Sequence, residues 1–434
     1  MARILFATVP LSGHVNPGIP IARRLVALGH EVVWYCGDHF REKIVSTGAR
    51  FIAFNRAPDF YDELITSMFG KVPNHSLLAH AGFYIRKVFY DPMPAYYADM
   101  QEILKDFEAE VIVSDEWFTG GIPFSEHHIK PWIIYGNSPL MLLSEDAPTP
   151  GTGLMPAPGL YGKNRDRIVN AITRVLFIPI HRHINRVRKS VGLPKLSHMF
   201  AEQNIRFSAL TLKFNTEIFE FPRKDLPAQI RFVGPVLPEN DLSHHFDWLD
   251  KIKHSIIPNI FITQGSVDIY DIHKLIIPSL KALHHEKVHL IISTGGKETA
   301  ELKQLFPQEN IIIEKYIPYA LIMPFTSVMI TNGGYGGVST ALSFGVPVII
   351  AGNSEDKPEI ASRLKYCGAG INLKTGRPSP SKIRNAVQHI LHEPSYKSHA
   401  QLVRDDFNLH HAVDESVAHI LAIAVKRSRA LTNS

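Results

Sequence analysis

The chain has 434 residues, of which 45% are hydrophobic and 20% charged, with a formal charge of +5. That length exceeds one ordinary domain and suits two or three, and the balance is that of a globular protein rather than a disordered one. The small charge, with no zinc-finger spacing and no aromatic RNA-binding signature, gives no basis for a nucleic-acid partner. No apolar run approaches the roughly 18 residues of a membrane span. Cys36 and Cys367 lie far apart and read as two buried thiols in a reducing compartment. The apolar opening from Ile4 to Leu11 runs into Gly13-His14 without a small-residue cleavage site, so it reads as a buried strand, not a signal peptide. The chain is therefore read as cytoplasmic.

Ile4 to Val9 is continuously apolar, as a strand buried on both faces of a parallel sheet would be. A helical pattern follows, with Ile19, Ile21, Ala22, Leu25, Val26 and Leu28 on one face, and then a strand at Glu31–Cys36. This strand–helix–strand unit starts a doubly wound sheet. Residues 55–100 are less regular and hold aromatic clusters around Phe60, Phe83-Tyr84, Phe89-Tyr90 and Tyr96-Tyr97. Val111–Ser114 and Trp132–Tyr135 are further strands, and the Pro- and Gly-rich residues 144–162 form a long loop. Residues 165–191 read as a basic amphipathic helix split or kinked at Pro179, with Ile168, Ile172, Val175, Leu176, Ile180, Ile184 and Val187 at helical spacing. Phe232–Pro238 reads as a linker. Strands at Asn259–Thr263, Val288–Ser293, Ile311–Glu314, Val328–Thr331 and Pro347–Ile350 then alternate with helices over 271–285 and 336–344. Two α/β sheets in tandem are expected.

Two glycine-marked turns carry the chemistry. Asn332 to Gly337 follows a strand and opens a helix. Glycines let backbone approach a ligand, and the unpaired N–H groups of a helix N-terminus favour an anion such as a diphosphate. The turn is neither a P-loop nor a full G-x-G-x-x-G, and a tight turn with close helix–strand packing explains the glycines equally well. Gln264-Gly265-Ser266 ends another strand of the same half and offers an N–H and a hydroxyl to a phosphate. Asp356 and Lys357, after the Val348–Ile350 strand, are placed to hold sugar hydroxyls, or simply to cap a helix. In the first half, His14 follows the first strand and suits a general base, with Asp115, at the end of another strand, as orienting partner.

These residues resemble the family 1 glycosyltransferases, the UDP-glycosyltransferase-like enzymes of GT-B fold, and most closely the bacterial branch acting on macrolides, polyketides and phenolics. Gly13-His14-Val15-Asn16-Pro17 matches the acceptor-domain turn, and residues 316–361 match the donor signature. The resemblance implies two Rossmann-like parallel-sheet domains facing across a cleft. Residues 1–237 would form the acceptor domain and 238–405 the donor domain, with a helix in 406–434 crossing back. It implies inverting transfer of a hexose, glucose by default, from a UDP- or dTDP-sugar to a hydroxyl of a small apolar acceptor. His14 would be the base and Asp115 its partner. Ser266, Asn332, Gly334, Gly336, Gly337 and Val338 would hold the diphosphate, Tyr316 and Ile317 the nucleobase, and Asp356 and Lys357 the sugar. Phe60, Phe83, Tyr84, Trp117, Asn137 and Met141 are candidates for the acceptor pocket. The nucleotide sugar is a co-substrate, and no cofactor or metal is expected, since no D-x-D occurs.

The chain departs from the family pattern at several positions. Asn332 stands where histidine is usual, Tyr316 for tryptophan, Tyr319 for glutamine, Thr340 for a ribose-binding glutamate and Lys357 for glutamine. Three competing readings remain. A sugar-nucleotide epimerase would need no acceptor. A peripheral-membrane enzyme with a lipid acceptor is motivated by the basic helix at 165–191, for which a packed helix with a solvated basic face is the plainer reading. A non-catalytic nucleotide-sugar binder is motivated by Asn332.

Overall fold

The computed structural model describes residues 1–73, 76–136, 138–157, 159–238, 244–265 and 271–432. Two all-parallel sheets organise it. The first holds β1 (Arg3–Ala7), β2 (Glu31–Cys36), β3 (Arg50–Ala53), β4 (Val111–Asp115), β5 (Trp132–Gly136), β6 (Leu210–Lys213) and β7 (Ile230–Phe232), in the order β3-β2-β1-β4-β5-β6-β7. The second holds β8 (Asn259–Thr263), β9 (His289–Ser293), β10 (Ile311–Glu314), β11 (Val328–Thr331), β12 (Val348–Ile350) and β13 (Gly370–Asn372), in the order β10-β9-β8-β11-β12-β13. The continuous apolar runs of β1, β8, β9 and β11 are buried on both faces, because helices cover both sides of each sheet.

Each sheet reverses strand order at one point, between β1 and β4 in the first and between β8 and β11 in the second. Such a reversal opens a crevice beyond the carboxyl ends of the strands. In the first sheet, Ala7 lies opposite Ser114, so the next residues, Thr8 and Asp115, emerge together at that crevice. In the second, Thr331 lies opposite Thr263, so Asn332 and Gln264 emerge together.

The helices that matter for function are α1 (Ser12–Val15), α2 (Gly18–Ala27), α3 (Gly159–Leu176), α4 (Ile178–Ser190), α5 (Ile276–Leu283), α6 (Tyr335–Ser343), α7 (Lys357–Tyr366) and α8 (Ala412–Thr432). Three differ from the sequence reading. The helix expected over 271–285 is regular only over α5, because the Gln264 carboxamide accepts from the Leu275 and Ile276 N–H groups and caps the helix there. The 165–191 helix divides at Phe177, with Pro179 in the first turn of α4, where a missing N–H costs nothing. Ile180 and Ile184 are buried, but Ile168, Ile172, Val175 and Leu176 face outward. Periodicity fixes that an apolar stripe exists, not which way it points. The thiols also differ: Cys36 is buried, whereas Cys367 is only partly so.

The halves are tied by chain and by charge. Phe219, between β6 and β7, is fully buried in the core beside the second sheet. In the other direction, Val417, Ile420 and Ala424 of α8 complete the core beneath the first sheet. At the seam, Arg363 of α7 donates to Glu220 through Nε at 2.7 Å and to Glu359 through Nη1 at 2.8 Å, all three side chains being buried. The Phe221 ring lies 4.4 Å from the guanidinium. Burial opposes ionisation of Glu220, but the Arg363 and Arg223 charges outweigh it and hold the carboxyl below its usual range. Replacing Arg363 by Met leaves two buried carboxylates without their cation. We expect it to cost about 3–5 kcal/mol, read from denaturant unfolding, and a loss below about 1 kcal/mol would show that the seam does not depend on this ion group.

Candidate active site

The cleft-facing imidazole of the first half is held by a turn and a carboxylate. The chain leaves β1, turns through Pro10 and Leu11 and starts α1, which carries His14. The His14 Nδ1 lies 2.7 Å from Asp115 Oδ1. The same carboxylate accepts the Val9 N–H at 2.8 Å and the Trp117 N–H at 2.9 Å. Tyr135 Oη donates to the His14 carbonyl at 2.9 Å, fixing the backbone of the turn. Asp115 is only 2% exposed, so its charge is held by these donors rather than by water. Burial of the imidazole opposes its protonation. The Asp115 charge and hydrogen bond, with Glu116 and Asp62 further off, outweigh that and raise the His14 pKa above the usual 6.5.

An aromatic wall adjoins the ring. Phe89 lies 5.9 Å from the His14 ring and stacks on Trp117 at 4.7 Å, while Tyr84 lies 6.2 Å from Phe89. Tyr84, Trp117 and Met141 are partly exposed, as an acceptor surface requires. Phe83 is buried behind Tyr84, and Phe60 is fully buried edge-on to Phe69, so these two back the wall. Asn137 lies outside the described residues. The wall's central residue, Phe89, was visible in sequence only as one aromatic among many.

Across the cleft, the turn after β11 is rigid. Gly333 takes φ +91°, and a Cβ there would fall 2.5 Å from Ile350. Gly334 is the N-cap of α6, and the first-turn N–H groups of Tyr335, Gly336 and Gly337 have no acceptor within the helix. Val338 differs, since its N–H donates to the Gly334 carbonyl and its side chain is core. Asn332 also looks inward. Its amide donates to the Gln264 carbonyl at 2.5 Å, and its Oδ1 accepts the Gly334 N–H at 3.4 Å. It locks the two strand ends together. Ser266 lies outside the described residues.

The remaining donor-side residues spread along the same edge. Tyr316 is 58% exposed, with the His244 ring edge-on at 5.8 Å, whereas Ile317 next to it is fully buried. Thr340 donates to the Gly336 carbonyl at 2.7 Å and is thereby turned to its own helix. Lys357 is buried and pairs with Glu355 at 2.6 Å rather than with Asp356. Burial and the Glu355 carboxylate push Asp356 up to about 6. A cavity of about 300 Å³ beside the turn brings together Asn332, Lys274, Lys357 and Arg377. Lys274 and Arg377 sit in unremarkable sequence, and only the fold gathers them beside Lys357, with Arg377 paired to Asp271 and Lys357 to Glu355. Among the described residues, no group of three His, Cys, Asp or Glu side chains is placed to hold a metal ion.

Similarity to known proteins bears on this geometry. Residues 275–423 match the family model described as "Erythromycin biosynthesis protein CIII-like, C-terminal domain". The chain is 36% identical over 426 residues to 4'-demethylrebeccamycin synthase of Lentzea aerocolonigenes, covering 96% of this chain and 98% of that protein. It is 29% identical over 420 residues to UDP-glycosyltransferase 2 of Phaeomoniella chlamydospora, with 93% and 92% covered. Among solved structures, the calicheamicin glycosyltransferase CalG4 superposes with a TM-score of 0.73 at 17% identity, over 97% of this chain and 98% of that one. The spinosyn rhamnosyltransferase SpnG complexed with thymidine diphosphate superposes with a TM-score of 0.67 at 16% identity, over 97% and 100%. At those identities the structures show a shared fold, the GT-B arrangement.

The hydrogen-bonded pair yields a direct test. The His14 ring should titrate above 6.5 in the native chain, and Asp115→Asn should lower its pKa by removing the charge that favours the imidazolium. A ring-nitrogen NMR titration reads both, and an unchanged midpoint in the variant would refute the electrostatic coupling.

Proposed function

The chain belongs to the UDP-glycosyltransferase-like enzymes of GT-B fold that include the natural-product glycosyltransferases, and from that premise we propose that it transfers a hexose from a nucleotide diphosphate sugar to a hydroxyl of a small apolar acceptor. The His14–Asp115 pair beside an aromatic wall, facing an anion-binding helix terminus, carries this reading. The acceptor domain is assigned to 1–237, the donor domain to 238–405 and the returning segment to 406–434. Glucose on UDP is the default donor, and a dTDP-sugar is the second choice.

The steps follow from the residues. With Nδ1–H donated to Asp115, the imidazole keeps its lone pair on Nε2, directed to the acceptor. Nε2 takes the acceptor proton as the hydroxyl oxygen attacks the anomeric carbon. The bond from that carbon to the diphosphate breaks, the nucleoside diphosphate leaves with the electron pair, and the anomeric centre inverts. The Gly336 and Gly337 N–H groups meet the departing charge at the positive end of α6, and Lys274, Lys357 and Arg377 add cationic field beside it. A protein-bound charge at these positions supplies what Asn332 lacks. Tyr316 offers the ring on which the nucleobase stacks, and Asp356, ionised above about 6, accepts from sugar hydroxyls. Ser266 remains the candidate hydroxyl for the diphosphate.

Nucleotide release from UDP-glucose and from a dTDP-sugar, measured against a panel of phenolic and polyketide acceptors, tests the reading. Release should depend on acceptor, and His14→Ala should lower kcat by about 10²–10⁴-fold while donor binding stays within a few-fold. Release without acceptor would instead indicate hydrolysis or epimerase-like chemistry, and tight donor binding with no release to any acceptor would favour a binding protein. The pH profile gives a further check. His14 acts only when neutral, so its raised pKa places the acid limb of kcat/KM above pH 6.5. Asp115→Asn should move that limb to lower pH while reducing the plateau, and a limb that stays in place would exclude His14 as the titrating base.

A further inference from the structure

Helix α3 is amphipathic the wrong way round for a packed helix. Its inner face is polar: Asp166 is 5% exposed and receives Arg165 Nε at 2.8 Å, and Asn170 receives the Thr149 hydroxyl at 2.6 Å. Its outer face is apolar. Ile168, Ile172, Val175 and Leu176 are 50–63% exposed, and Tyr161 is 79% exposed. At 3.6 residues per turn, positions 161, 168, 172 and 175 fall on one narrow stripe, and Lys163, Arg167 and Arg174 fall together on one flank, between that stripe and the polar inner face. The sole carboxylate between residues 159 and 190 is the buried Asp166, so every exposed charge on α3 and α4 is positive or neutral.

We propose that this stripe docks the enzyme on the surface of a bilayer containing anionic lipid. A helix with an apolar centre and a basic edge lies in the headgroup region, where apolar burial and attraction to anionic headgroups add. A second copy of the same stripe is a poorer occupant, because Arg167 and Arg174 would meet like charges. The apolar face leaves the fold's own core intact, since the polar bonds to Thr149 and to the Met155 carbonyl hold α3 in place. Those bonds join α3 to the loop that carries Met141 and whose Gly153 N–H donates to Glu359 at the domain seam. The surface proposal rests on α3 alone and is tested without catalysis.

The test is co-sedimentation of the full chain with phosphatidylcholine vesicles, with or without phosphatidylglycerol, at low and high salt. Binding should be about tenfold stronger on the anionic vesicles at low salt and should weaken as salt rises. Ile168→Asp with Val175→Asp should reduce it about tenfold or more, and Arg167→Gln with Arg174→Gln should abolish the preference for phosphatidylglycerol. If the aspartate variant unfolds by circular dichroism, Ile168→Ser with Val175→Ser replaces it. No pelleting on either vesicle at low salt overturns the proposal, as does pelleting that the stripe variants leave unchanged. A dimer in sedimentation velocity that these variants dissolve, without vesicle binding by the native chain, overturns it in favour of a second copy.

Discussion

One buried carboxylate organises the reactive end of the first sheet. Asp115 accepts from Val9 and His14 in the turn after β1 and from Trp117 in the turn after β4. A carboxylate shut away from water is tolerated only when donors satisfy it. The residue that orients the imidazole therefore also pins the turn after β1 to the turn after β4. Loss of any one donor would loosen the other two, so the catalytic reading and the local fold draw on the same constraint.

The second sheet solves the matching problem with little side-chain charge at the turn itself. Asn332 ties the β11 turn to Gln264, and Gln264 in turn caps α5. This turn is thus held by neutral amides, and the positive field around it comes from backbone N–H groups and from cations that arrive by other routes. Both crevices lie where strand order reverses, so the two α/β units present their carboxyl ends to a common cleft. Arg363 with Glu220 and Glu359 stands at the seam between them, where its ion group fixes how the units meet.

Much of this was legible in sequence, for identifiable reasons. Fully buried parallel strands read as continuous apolar runs, so nine of the thirteen strands were expected near their observed positions, whereas the short strands β3, β6, β7 and β13 carry no such run and were not. His14 and Asp115 were legible because each follows such a run. Other features depend on three-dimensional neighbours. Phe60 and Phe83 carry the same aromatic signal as Tyr84 and Trp117, and only packing decides which of them back the wall. Asn332 and Thr340 also make hydrogen bonds within the protein that the motif does not foretell, Asn332 to Gln264 and Thr340 to Gly336. The outward stripe of α3 shows the same limit, since a helical period carries no information on which face meets the rest of the fold.

The return of α8 has a consequence for how the molecule is made. Arg24 of α2 reaches Asp414 at 2.8 Å across 390 positions of chain, and Ile420 and Ala424 are buried beneath the first sheet. The first α/β unit is therefore completed by a segment that follows the second sheet in the chain, so the whole second sheet is translated in between. At about 5–20 residues per second, the ribosome leaves the first core open on one side for many seconds after its strands have emerged. During synthesis, that apolar face stays uncovered until α8 has been made.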